Sequence, residues 1–186
     1  MERGERSVAR QQGFTMAELL VAIGLFSVVV AIAAGGFVNA LRAQSQAAAL
    51  IAANSNVSLA LEQMAREIRT GFEFCAGAQV CAPASNPVVK DELVFKNARS
   101  ETVTYRLANN AIERGVDGAN FAKITGDNAV IRSLSFLPFG NLGAGVGDAY
   151  QPRVTISVGV SANERGLASS VTNLQTTVSA RLPLDL

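Results

Sequence analysis

The feature that most constrains this chain is a run of twenty residues, positions 19–38, without a single charge, in which Ser27 is the only clearly polar side chain. As a helix rising 1.5 Å per residue it would span roughly 30 Å, the thickness of a bilayer's hydrocarbon core. One carboxylate, Glu18, sits at its lip, within Gly13-Phe14-Thr15-Met16-Ala17-Glu18-Leu19-Leu20. A carboxylate there costs roughly 2–4 kcal/mol if it faces lipid unpaired, so Glu18 calls for a partner. Residues 1–13 are polar and basic, with Arg3, Arg6 and Arg10 against Glu2 and Glu5. The excess of Arg places this leader in the cytosol and everything after Val38 across the membrane.

Together these residues resemble the type IV prepilin signature, shared by type IV pilins and type II secretion pseudopilins: a glycine, an aromatic, a Thr and a Glu at fixed spacing, then the apolar span. The motif covers about the first forty residues; beyond it the likeness is one of pattern. The resemblance implies that a prepilin peptidase cuts after Gly13, that Phe14 becomes the N-methylated terminus, and that Glu18 pairs with the terminal amine of a neighbouring subunit. A softer resemblance, carried by Leu61-Glu62-Gln63-Met64-Ala65-Arg66-Glu67-Ile68-Arg69 and Thr176-Thr177-Val178-Ser179-Ala180-Arg181, points to minor pilins of the W kind or J-type pseudopilins, with a major pilin as the near alternative.

Two other readings fit the apolar run. A secretory signal peptide also has a basic start and an apolar core, and Ala31-Ile32-Ala33 offers a cleavage site. That reading gives a secreted binding domain that never polymerises. An uncleaved signal anchor is the other. Yet the run continues through Gly35-Gly36-Phe37-Val38, and neither alternative has a use for Glu18; the prepilin reading accounts for the leader, Gly13, Phe14 and Glu18 together.

The formal net charge is +1, and the leader carries all of it, so the mature side chains balance at zero. A neutral chain without a basic patch argues against a dedicated nucleic-acid binder, while leaving room for a local DNA contact at a filament tip. There is no histidine, which excludes Ser-His-Asp triads, Cys-His pairs and histidine metal ligands. The inventory points to no enzyme and to no cofactor or metal. Cys75 and Cys81 match no standard zinc spacing. If they lie outside the cytosol a disulfide is the natural pairing, contributing about 2.4 kcal/mol by loop entropy. The alternative is two free buried thiols.

After Val38 the pattern becomes amphipathic. Leu50, Asn54, Val57, Leu61, Met64 and Ile68 recur at helical spacing, with Asn54 the one polar member. Ala47, Ala48, Ala49, Ala52 and Ala53 favour helix, Glu62 and Arg66 form an i,i+4 pair, and Gly71 follows as a stop. No proline interrupts residues 14–70, so the spacing predicts one continuous helix of roughly 85 Å. Gly24 and Gly35-Gly36 are its weak points. They serve either close packing in the membrane or local melting on assembly; the proline that pilins often carry near the place of Gly35-Gly36 is missing here.

From Gly71 the period changes. Residues 72–87 read as an irregular loop stapled by the cysteines. Residues 93–95, 102–107 and 111–114 read as a three-strand meander with Asn109-Asn110 at a turn. A short strand or turn follows at 121–124, and then strands at 130–137, stopped by Pro138, 153–160 and 171–182. The expected sum is a half-buried antiparallel sheet covered by the helical stripe of residues 50–68.

The glycine-rich stretch 140–148 has no lysine for a phosphate and reads as a hairpin loop. Asn56-Val57-Ser58 fits a glycosylation pattern but lies mid-helix. Asp117, Asn120, Asp127 and Asn128 could ligate calcium, although turn residues are the commoner explanation. Asp91 and Glu92, adjacent on a strand, would face opposite ways and make a poor acid–base pair.

The expectation is an α+β chain of the pilin fold, with a cleaved leader at 1–13, a transmembrane half-helix at 14–38, an amphipathic half-helix at 39–70 and a β domain at 71–186. Its implied partners are other pilin or pseudopilin subunits, the prepilin peptidase, an inner-membrane assembly platform and, before assembly, membrane lipid. The implied location is the inner membrane, single-pass with a cytoplasmic N-terminus, and then a periplasmic pseudopilus or a surface pilus.

Overall fold

A computed structural model describes residues 13–77, 89–140 and 150–181. A single helix, α1 (Met16–Arg69), precedes eight strands: β1 (Phe72–Ala76), β2 (Glu92–Lys96), β3 (Thr102–Ala108), β4 (Ala111–Val116), β5 (Ala119–Lys123), β6 (Ala129–Phe139), β7 (Arg153–Ala162) and β8 (Thr172–Ser179). The chain divides into two compact units, the first ending at Gln44 and the second beginning at Ser45, so the division falls inside α1.

In the first unit α1 exposes its apolar side chains, Leu19, Leu25, Phe26, Ile32 and Phe37 among them. The helix is long and apolar enough to cross a membrane, and none of its most apolar stretch is buried. Ser27, the polar member of the run, donates its hydroxyl to the Ile23 carbonyl at 2.8 Å, which satisfies the group without water. Gly24, Gly35 and Gly36 are all helical.

In the second unit α1 buries Ala53, Val57, Ala60, Leu61, Met64 and Ile68. This is the expected stripe, except that Leu50 and Asn54 are only partly buried and the small residues Ala53 and Ala60 lie inside it. At about 1.5–3 kcal/mol for each large apolar side chain taken from water, Val57, Leu61, Met64 and Ile68 dominate the hold on the strands. The helix ends where Thr70 N and Gly71 N donate to the carbonyls of Glu67 (3.3 Å) and Ile68 (3.1 Å), a tightened last turn. Gly71 is required by packing, because a Cβ there would lie 2.5 Å from Phe95 Cδ2.

The strands form two hydrogen-bonded sheets where one was expected. The first is a five-stranded meander in chain order, β1-β2-β3-β4-β5, and the second is β6-β7-β8. All pairings are antiparallel. Asn109 and Asn110, with φ of 49° and 57°, make the two-residue turn joining β3 and β4, a mirror-image turn that suits strand twist. The sheets are tied where Lys90 and Phe136 exchange backbone hydrogen bonds at 3.1 and 2.7 Å and where Ile131 N donates to Asn110 O at 2.8 Å. Val154, Ile156, Val158 and Val160 lie buried on one face of β7, as their alternation predicts. Both sheets and the helical stripe share one core.

Pro138 does not stop β6, which runs through it to Phe139. It shares the parity of Phe136, whose N–H and C=O face Lys90 and not β7, so the missing N–H takes nothing from the β6–β7 ladder. The glycosylation pattern also has another use. Asn56 Oδ1 accepts from Gly126 N at 2.8 Å, and its Nδ2 donates to Asn128 Oδ1 at 3.1 Å, so the side chain ties α1 to the turn before β6.

Candidate functional site

At the start of α1, residues 13–15 are not helical, and Gly13 and Phe14 are exposed. Thr15 is the cap: its Oγ1 accepts from Glu18 N at 3.2 Å, and its carbonyl accepts from Leu19 N at 3.1 Å. This leaves Glu18 at the third helical position, where a carboxylate also meets the positive end of the helix dipole. Among the described residues Glu18 has no salt-bridge partner. Gly13, Phe14 and Glu18 thus follow one another at the helix start: a non-helical peptide next to an exposed aromatic, then an exposed acid on the first turn of an apolar helix. The sequence carried a signal for the cap as well, since Thr15-Met16-Ala17-Glu18 has the S/T-x-x-E spacing ahead of an apolar run.

Cys75 lies on β1 and is not a free cysteine. Cys81 lies outside the described residues, as do residues 141–148 of the glycine-rich stretch. Three of the residues considered for calcium have protein partners. Asp117 Oδ1 accepts from Thr102 N at 3.0 Å, Asp127 pairs with Lys123 at 2.5 Å and Asn128 Oδ1 accepts from Asn56, while Asn120 lies in β5 with a φ of 53°.

A second polar cluster joins α1 to the five-stranded sheet. Glu67 accepts from Arg114 at 2.9 and 2.5 Å and from the Tyr105 hydroxyl at 2.5 Å. Burial pushes the Glu67 carboxyl up, but the hydrogen bonds from Arg114 and Tyr105 and the Arg114 charge outweigh it and hold it below its ordinary value. Burial and then the Glu67 hydrogen bond raise the Tyr105 hydroxyl, and the same carboxylate raises Arg114. An open cleft of about 580 Å³ passes over the cluster. Its charges cancel in pairs, Glu62 with Arg66 and Glu67 with Arg114, so it offers no net charge to a ligand. The amphipathic pattern placed Glu67 on α1 but could not supply its partner, which lies 47 residues away.

The family model for the prokaryotic N-terminal methylation motif matches residues 8–34. No curated protein and no solved structure matches the chain. The motif is that of a type IV pilin-like prepilin peptidase substrate and suggests a structural subunit. It supports the resemblance of this chain to the type IV pilin and pseudopilin family.

Proposed function

We propose that this chain is a structural subunit of a type IV pilus or type II secretion pseudopilus, cut by prepilin peptidase after Gly13, N-methylated on Phe14 and assembled through its apolar helix. The observation that carries the reading is an exposed carboxylate, Glu18, on the first turn of an unburied apolar helix, directly after a non-helical Gly13–Phe14 peptide. A non-helical, exposed peptide suits proteolysis. Cleavage removes a leader whose charges would block packing of the helices, and it creates an amine at Phe14. Between bundled apolar helices water is scarce, and an ammonium facing Glu18 of a neighbour gains far more than it would in water. An unpaired acid is penalised there, so the pair acts on axial register more than on net stability.

On this reading residues 1–13 are the leader, residues 14–38 the membrane half of the helix, residues 39–70 its amphipathic half and residues 71–186 the outer domain, with a Cys75–Cys81 disulfide formed outside the cytosol. The subunit waits in the inner membrane, joins other pilins or pseudopilins at the assembly platform and ends in a periplasmic or surface filament. The segments 61–69 and 176–181 favour a minor subunit.

Mass spectrometry of the mature N-terminus tests this. Methyl-Phe14 is expected. A start at Ala34 would instead mark a secreted domain, and an intact Met1 a signal anchor. Glu18→Ala should leave the protein stable in membranes but keep it out of filaments; undiminished incorporation would remove the role assigned to this acid.

A further inference from the structure

The outer face of the β6-β7-β8 sheet differs in chemistry from the rest of the surface. On the five-stranded sheet Lys96 pairs with Glu73 and Arg106 with Glu113, as is usual for a solvated face. On the three-stranded sheet, two successive rows across the strands read Ser133, Gly159, Asn173 and Ser135, Ser157, Gln175. Their five side chains line a depression of about 220 Å³. Val158 and Leu174 complete its lining, and Gly159 lets Ser133 and Asn173 close in beside it, for a Cβ there would stand 2.5 Å from Ser133 Oγ and 3.1 Å from Asn173 Oδ1. Among the described residues the side chains of Ser135, Ser157 and Gln175 have no hydrogen-bond partner, so their donors and acceptors are open.

The next row holds Thr155 and Thr177, whose hydroxyls bond each other at 2.9 Å. The last ends in an aromatic group. Phe139 and Tyr150 meet with centroids 5.2 Å apart, and the Arg153 guanidinium lies 4.3 Å over the Phe139 ring. Arg153 is the only charge in the four rows. They extend over roughly 20 Å at 3.4 Å per residue, room for several sugar units.

We propose that this face binds a neutral oligosaccharide. Hydroxyls and amides that can both donate and accept match the hydroxyls of a sugar, and the exposed Tyr150 ring at one end suits the apolar face of a sugar ring. A polyanion would need more than one cation, already stacked, and an apolar partner would leave the amides unpaired. The proposal does not rest on the filament reading.

The test is retention of the full chain, in detergent micelles, on immobilised cellohexaose, maltohexaose, mannohexaose and chitohexaose, with heparin as the acidic control. Retention on at least one neutral sugar is expected, unchanged in about 0.5 M salt because no charge pair carries it. Asn173→Ala with Gln175→Ala, both exposed and outside the core, should weaken it about tenfold while the melting curve stays that of the parent. Gln175→Glu keeps the shape, adds a charge and should also weaken it. Failure to hold any neutral sugar, equal retention of these variants, or binding to heparin alone with loss in salt would overturn the proposal.

Discussion

Arg114 grips Glu67 with two arms of its guanidinium, Nε to Oε2 at 2.9 Å and Nη2 to Oε1 at 2.5 Å, and so fastens α1 to the fourth strand of the five-stranded sheet. Both side chains are mostly shielded from solvent, at 26% and 19% exposure, whereas the Arg66–Glu62 pair is 75% and 56% exposed. A shielded, forked pair that shares a tyrosine hydroxyl contributes to stability in a way that an exposed helix pair does not. Arg114→Ala, which strands a shielded carboxylate, should cost about 2–3 kcal/mol in urea unfolding of the solubilised chain, while Arg66→Ala should cost about 0.5 kcal/mol or less.

The same carboxylate sets an acid limit. Its folded pKa lies below the ordinary value of 4.5. The associated stability is therefore complete above about pH 4.5 and is lost as pH falls through the folded value. Melting temperature measured against pH should drop across that acid window, and Glu67→Gln should flatten the drop while lowering the plateau above it. An identical acid slope in Glu67→Gln would assign the loss to other carboxylates.

Thr15 caps the helix that carries Glu18. Thr15→Ala should loosen the first turn by about 1 kcal/mol and Thr15→Ser should not. In the solubilised chain the Glu18 amide should then exchange with deuterium about fivefold faster in the alanine variant. An unaltered rate would mean that something other than the Thr15 cap holds this turn.

Gly71 touches Phe95 where no side chain fits, although its backbone carries no positive φ. Gly71→Ala should cost about 1–3 kcal/mol by displacing the Phe95 ring. The ring stacks between Phe74 at 5.4 Å and Tyr105 at 6.1 Å, so the loss should appear in near-ultraviolet circular dichroism as well as in the melting temperature.

Thiol titration of the denatured, unreduced chain should find no free cysteine, in keeping with the bonded state of Cys75. Reduction should lower unfolding free energy by about 2.4 kcal/mol, the loop-closure contribution for so short a ring. Two titratable thiols before reduction would exclude the Cys75–Cys81 pairing.

Much of this molecule is local and so was legible without coordinates. Continuous helix over residues 16–69 follows from alanine-rich composition, the lack of proline and an apolar run long enough for a bilayer. The meander follows from alternation and the Asn109-Asn110 turn. Gly13, the exposed Phe14 and Glu18 lie within a few residues of one another, so spacing alone brought them together. What tertiary structure decided depends on groups distant in the chain. Strand alternation cannot say which strands share a sheet, and only pairing separated β6-β7-β8 from the meander. Pro138 reads as a stop until the neighbouring ladder shows that its nitrogen faces away from β7. Asn56 fits a glycosylation pattern in mid-helix, and only the fold shows Gly126 meeting it; the sequence places Glu67 on α1, and only the fold brings Arg114 to it from 47 residues further on. Periodicity records which face a residue occupies. It holds no record of what the other side of a contact will be, because that partner is chosen by the packing of the whole domain.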